Sequence, residues 1–219
     1  MLKQLVFILS YLNSATLLLP IGVGLFRWKG LSTALRLSWA ALLAYFLLFL
    51  LSLSVVLLRL TPSNTLGIQY LIAGTFGSFF SLAYWSLIPA GKRRIAVAVL
   101  GGLGLLGILT EALIQGRYAQ SSQWSVPLQT VLTTLICLLY LHLLLRQTRV
   151  SLLRVPFFWI TISLLVSSVL GTFYDAFRNL MLASSIELLM GWLCFQLGIT
   201  ILCNGLYAIG FNRATTHSA

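Results

Sequence analysis

The sequence predicts an all-α polytopic membrane bundle of seven transmembrane helices, with the N-terminus outside and the C-terminus in the cytoplasm. Three observations predict it. Only 8% of the 219 residues are charged and 59% are apolar, whereas soluble domains carry about 25% charged residues. A chain so poor in charge cannot cover a water-facing surface, so lipid is the solvent for most of it. Seven apolar runs reach the roughly 20 residues that a helix needs to cross a hydrocarbon core. The basic residues cluster in the joints between those runs, and do so mainly at alternate joints, as orientation signals do.

The first run is Leu5–Phe26, and Pro20 inside it is expected to kink the helix or unwind its last turn. Met1–Ala15, with Lys3 and a short apolar stretch, also has features of a signal peptide. The run continues through Leu17-Leu18-Leu19 to Phe26, however, and is read as a span. Leu35–Leu58 is the second run and Leu66–Ile88 the third, separated by the breakers Thr61-Pro62-Ser63-Asn64. Pro89-Ala90-Gly91 ends the third, and the fourth, Ile95–Ile114, is closed by Gly116. The fifth is Trp124–Leu145, with Pro127 in its first turn. The sixth, Pro156–Phe177, opens on a proline where a first helical turn tolerates it. The seventh is Ala183–Phe211. Residues 1–211 form a single domain on this reading, and 212–219 a short polar tail that frays.

Basic residues set the orientation. Arg27, Lys29, Arg36, Lys92, Arg93, Arg94, Arg146, Arg149, Arg154 and Arg213 fall on one side, and Lys3, Arg59, Arg117 and Arg178 on the other. The richer side is the cytoplasmic one. The formal net charge of +11 is therefore read as topology signal and as attraction for anionic lipid headgroups at the cytoplasmic loops, not as a nucleic-acid footprint. Trp28, Trp39, Trp85 and Trp159 near the inner face and Trp124 near the outer one make a partial aromatic belt. Cys137, Cys194 and Cys203 lie inside apolar runs without any CxxC pair and read as small packing residues.

Polar groups within spans face other helices or a wet cavity, because lipid cannot satisfy them. Ser38, Tyr45, Ser52 and Arg59 recur every seven residues in the second run, and Thr161, Ser168 and Asp175 in the sixth. Asn13, Thr16, Pro20 and Gly24 share a face of the first. Gly104, Gly107 and Glu111 share a face of the fourth, where a neighbouring backbone can approach and Glu111 points into the bundle. The seventh run carries Glu187, Gly191, Cys194, Gly198 and Gly205 on one side, and Trp192, Gln196, Thr200, Cys203, Asn204 and Tyr207 mostly on the other. This predicts a helix surrounded by its neighbours.

All three acids, Glu111, Asp175 and Glu187, fall near outer helix ends, together with Arg59, Arg117 and Arg178. The candidate site is an outward-facing ligand pocket built from these six, extended inward by Gln196 and Asn204. The competing interpretation is a set of interfacial ion pairs that fix helix ends. Several chemistries are excluded. Retinal needs a lysine within a span, and Lys3, Lys29 and Lys92 are terminal or in loops. A seven-helix zinc hydrolase needs several histidines, and there are His142 and His217 alone, with no HExxH. No P-loop or dinucleotide fingerprint occurs, since the glycines of Gly101–Gly107 lie within a span with no strand before them. No cofactor and no metal are expected.

Phe157-Phe158-Trp159-Ile160, Asn204-Gly205-Leu206-Tyr207-Ala208-Ile209-Gly210 and the stretch Leu17–Arg36 resemble a group of small seven-helix inner-membrane proteins of Bacteroidota-type bacteria. That group is similar in turn to the membrane sensor regions that precede histidine kinases. The resemblance implies the seven-helix fold and a bacterial inner-membrane setting. In that group the third and fifth helices often carry an outer glutamate; here Gln69 and Gln129 stand on those helices, so a shared carboxylate site is not carried over. The expectation is a non-enzymatic ligand-sensing or partner-binding module, in contact with the bilayer and with a possible protein partner. The alternatives are a small solute or proton-coupled transporter and a membrane-embedded lipid-modifying enzyme.

Overall fold

The computed structural model describes residues 2–57, 62–114, 124–147 and 151–214, with side chains described except at 3, 53, 55–57, 62–67, 147, 175, 176 and 178–184. Each of the seven apolar runs is a helix: α1 Leu2–Phe26, α2 Thr33–Leu57, α3 Pro62–Leu87, α4 Lys92–Ile114, α5 Ser125–Gln147, α6 Pro156–Ser184 and α7 Ile186–Asn212. Two short 3₁₀ turns, Trp28–Gly30 and Leu152–Arg154, complete the described elements. Among the described residues six of the helices are long and apolar enough to cross a membrane; the described part of α3, which carries Gln69, Thr75, Ser78 and Ser81, is not among these. The helix ends differ from expectation in two informative places. The fourth helix starts at Lys92, so the basic cluster occupies its first turn and not the preceding loop. The sixth runs on past Phe177 to Ser184, and a single extended residue, Ser185, joins it to α7. The Ser185 hydroxyl accepts from the backbone N–H of Glu187 at 3.1 Å and of Leu188 at 3.4 Å, an N-cap that restarts a helix without a loop.

The chain divides into two compact units. One comprises Thr33–Tyr140, which holds α2, α3, α4 and most of α5. Here α3 packs against both α2 and α4. Aromatic side chains run through this unit: Tyr45 of α2 meets Phe76 of α3 edge-on at 5.9 Å, Phe76 meets Phe80 within α3 at 4.7 Å, and Tyr84 of α3 meets Tyr140 of α5 at 5.5 Å. Phe80, Ala83, Tyr84, Ala41 and Leu42 are buried. The Tyr84 hydroxyl lies 3.3 Å from Cys137 Sγ, giving a phenol that lipid would strand a hydrogen-bond partner on α5. Ser38, the first member of the α2 polar stripe, is fully buried and donates to the Ala34 carbonyl at 2.9 Å.

The other unit comprises Met1–Ser32 and Leu141–Ala219, and in it α7 packs against both α1 and α6. The α1 face expected from spacing is the packed one: Leu17, Pro20 and Gly24 are buried and helix α1 runs unbroken through Pro20. On α6 the stripe residues Thr161 and Ser168 are buried with Ser163. Ser163 Oγ donates to the Cys203 carbonyl of α7 at 2.9 Å. The two helices approach closely at Gly210, where an added Cβ would sit 2.9 Å from Ile160 Cγ1 and 3.0 Å from the Pro156 carbonyl oxygen.

One expectation for α7 is overturned. The side carrying Gly191, Gly198 and Gly205 is open: a Cβ at any of the three meets nothing within 4 Å. Phe195 and Leu202 are exposed alongside. The packing of α7 is against α1 and α6, on its other sides. Glycine spacing allows close approach, but a neighbour has to be there to use it.

Candidate functional site

Glu111, near the end of α4, is 1% exposed, and its Oε2 accepts the backbone N–H of Ser125 at 2.8 Å. Ser125 is the first residue of α5. The first N–H groups of a helix have no partner within it and carry the positive end of its dipole. A carboxylate from another helix satisfies both needs, so Glu111 caps α5 from fourteen residues upstream.

Ser125 and Gln129 are one turn apart on α5, and Glu111, Gly107 and Gly104 follow one face of α4 inward from its end. The two faces meet as a seam. An added Cβ at Gly107 would sit 3.2 Å from Leu128 and 3.3 Å from the Trp124 ring. One turn deeper, a methyl at Gly104 would overlap the Gln129 carboxamide, as would one at Gly77 of α3. Two glycines on two helices therefore clasp the amide of a third. Gln129 is 7% exposed, and its Oε1 is buried without a hydrogen-bond donor among the described residues. A buried carbonyl oxygen left without a donor costs about 1–3 kcal/mol, so this group calls for an explanation beyond packing.

The sequence-predicted residues fall in both compact units. Glu111 belongs to the Thr33–Tyr140 unit, whereas Asp175, Glu187, Gln196 and Asn204 belong to the other. Arg59 and Arg117 lie outside the described residues, as do the side chains of Asp175 and Arg178 on α6. Glu187 is exposed in the first turn of α7, where its charge complements the helix dipole. Gln196 is half-buried. Asn204 is 3% exposed, and its Nδ2 points at Asn13 Oδ1 and Thr16 Oγ1, both at 3.1 Å, and at the Asn13 carbonyl at 3.3 Å. That amide joins α7 to α1. Asn204→Leu is expected to cost about 1–2 kcal/mol, the upper end for a hydrogen bond between spans, seen as a drop of a few degrees in the melting midpoint in detergent; an unchanged midpoint would deny the link.

The sequence places Gly104, Gly107 and Glu111 on one packed face but does not nominate Gln129, Ser125 or Gly77 for the site. The spacing of Ser125 and Gln129, i and i+4 at the start of a span, was the available signal. Among the described residues no three His, Cys, Asp or Glu side chains gather into a metal site. The free thiols Cys137 and Cys203 are buried.

Long apolar helices, buried hydroxyls bonded back to backbone carbonyls and carboxamides placed between helices define a polytopic integral membrane protein. Comparison with protein-family models, with curated proteins and with solved structures finds no match.

Proposed function

We propose that this chain is a non-enzymatic, seven-span sensor-like module of a bacterial inner membrane that binds a small polar ligand at the Glu111–Gln129 seam. The N-terminus lies outside and the C-terminus in the cytoplasm. The distribution of basic residues supports that orientation. For α3 as the seventh span, support comes from its 26 residues, about 39 Å at 1.5 Å per residue. Its packing between α2 and α4 also supports it, since a span shielded by neighbours tolerates more polar groups.

One observation carries the ligand reading: the Gln129 acceptor that no donor among the described residues reaches, held in place by two glycines. A ligand that offers an N–H, an O–H or a small cation to Oε1 supplies what the protein does not. Glu111, on the same α4 face, is held at its station by α5, which fixes the geometry of the seam.

A thermal-shift screen of the purified protein against ions and small metabolites tests this, because a ligand that prefers the folded state must raise its stability. The expected result is a reproducible shift that disappears in Gln129→Met. That variant itself melts at or above the wild-type temperature, since an apolar isostere replaces an unsatisfied acceptor. A Gln129→Met protein that melts several degrees lower would make Gln129 a structural residue and remove the site.

A further inference from the structure

A groove of about 330 Å³ runs between α3 and α4, with Ser81 and Trp85 on one side and Ala98, Gly101, Gly102 and Leu105 on the other. Its lining is almost wholly apolar. Between Ala98 and Leu105 it follows α4 for about 10 Å at 1.5 Å per residue, and it begins about 6 Å along the helix from Arg94. Trp85, 42% exposed, stands between the groove and Arg94, whose guanidinium carbon lies 3.6 Å from the indole centroid. Arg94 Nε is buried without a hydrogen-bond acceptor.

The charge at this end of α4 has no acid beside it in the same turn. Lys92, Arg93 and Arg94 fill the first turn of α4, and that turn holds no acid. A helix N-terminus is already the positive end of the dipole, where cations are unfavourable and anions favoured. The single acid of the whole Thr33–Tyr140 unit is Glu111, at the far end of α4 and engaged with Ser125. Within this unit no described residue supplies a counter-charge at the start of α4, so an anion from outside fits there. An apolar channel leads away from that point into the depth of the bilayer.

We propose that this groove is a binding site for an anionic diacyl phospholipid. The phosphate rests against Lys92, Arg93 and Arg94 at the start of α4, and one acyl chain lies between Trp85 and Gly102. Gly102 is what keeps the channel open: it lines the groove, and a Cβ there meets nothing within 4 Å. Gly101 is different, because a Cβ there would strike Ser81 at 2.6 Å. A leucine at 102 therefore fills the groove without disturbing the α3–α4 contact, and it strengthens the helix.

The test is the melting midpoint of the full-length protein in neutral detergent with added phosphatidylglycerol or phosphatidylcholine of identical acyl chains. Phosphatidylglycerol is expected to raise the midpoint by about 5 °C or more beyond phosphatidylcholine, as a ligand well above its dissociation constant does. Gly102→Leu is expected to melt no lower than wild type without lipid and to lose most of the phosphatidylglycerol shift. Combined Lys92→Gln, Arg93→Gln and Arg94→Gln should make the two lipids equivalent. Equal shifts from both lipids in the wild type would overturn the proposal. So would a Gly102→Leu protein that keeps its full response, or glycerol phosphate reproducing the shift without acyl chains. None of these variants touches the Gln129 seam, so the two sites stand or fall separately.

Discussion

Glu111→Ala is expected to give the largest loss of stability of any substitution considered for this protein. Alanine removes the acceptor of the Ser125 N–H and opens a cavity at a position that is 1% exposed. A lost cap costs about 0.5–2 kcal/mol, and a buried donor left unpaired costs about 1–3 kcal/mol. These descriptions overlap, so the expected total is about 2–3 kcal/mol, which is a fall of about 5–10 °C for a chain of this size. Glu111→Gln keeps an oxygen that can accept the same N–H and should lose about 1 kcal/mol, the difference between a charged and a neutral acceptor. Differential scanning of the two variants in one detergent measures both. Equal losses would mean that the carboxylate charge, not the hydrogen bond, fixes α5. No loss in either would mean that α5 starts without this cap.

The second large effect contrasts two glycines on α7. Gly210→Ala drives a methyl onto the Pro156 carbonyl oxygen, a backbone atom that cannot swing away as a side chain does. Forcing α6 and α7 apart to admit it is expected to cost about 1–3 kcal/mol. Gly205→Ala, five residues earlier on the same helix, meets only open space. It should leave the midpoint unchanged or raise it, because glycine in a helix interior is less favourable than alanine by about 1 kcal/mol. Opposite signs at the two positions are the expected outcome. A Gly205→Ala protein as unstable as Gly210→Ala would show that the face bearing Gly205 is covered after all.

Most of the fold was legible because the bilayer imposes a simple condition on the sequence. Every span has to be an apolar run of a set length, and the joints have to hold whatever is charged or breaks a helix. The runs read from the sequence are helices with ends displaced by up to seven residues, at α6, and those displacements matter at α4. Moving its start from Ile95 to Lys92 turns a basic loop into a basic helix N-terminus. The α1 face of Asn13, Thr16, Pro20 and Gly24 could be read correctly because a polar group in lipid has few choices of direction. The α7 glycines were misjudged because the same small residues suit a tight interface and an open surface equally well.

The candidate site was less legible, and the reason lies in Gln129. In the sequence it is an uncharged residue one turn into a span, less conspicuous than any of the three acids. Its standing comes from Gly77 and Gly104, 52 residues and 25 residues away in the chain, which only the packing of α3, α4 and α5 brings to either side of its amide. Likewise Glu111 is legible as a charge turned inward, but its partner is a backbone N–H, a group that every residue possesses and no sequence distinguishes. Length, apolarity and the placement of basic residues therefore determined by themselves that this is a helical membrane protein and where its helices lie, since those properties depend on the solvent around each segment. Which acid caps a helix, which glycine admits a neighbour and which amide is left without a donor were decided only by tertiary structure, since each depends on distances of 2–4 Å between segments remote in the chain.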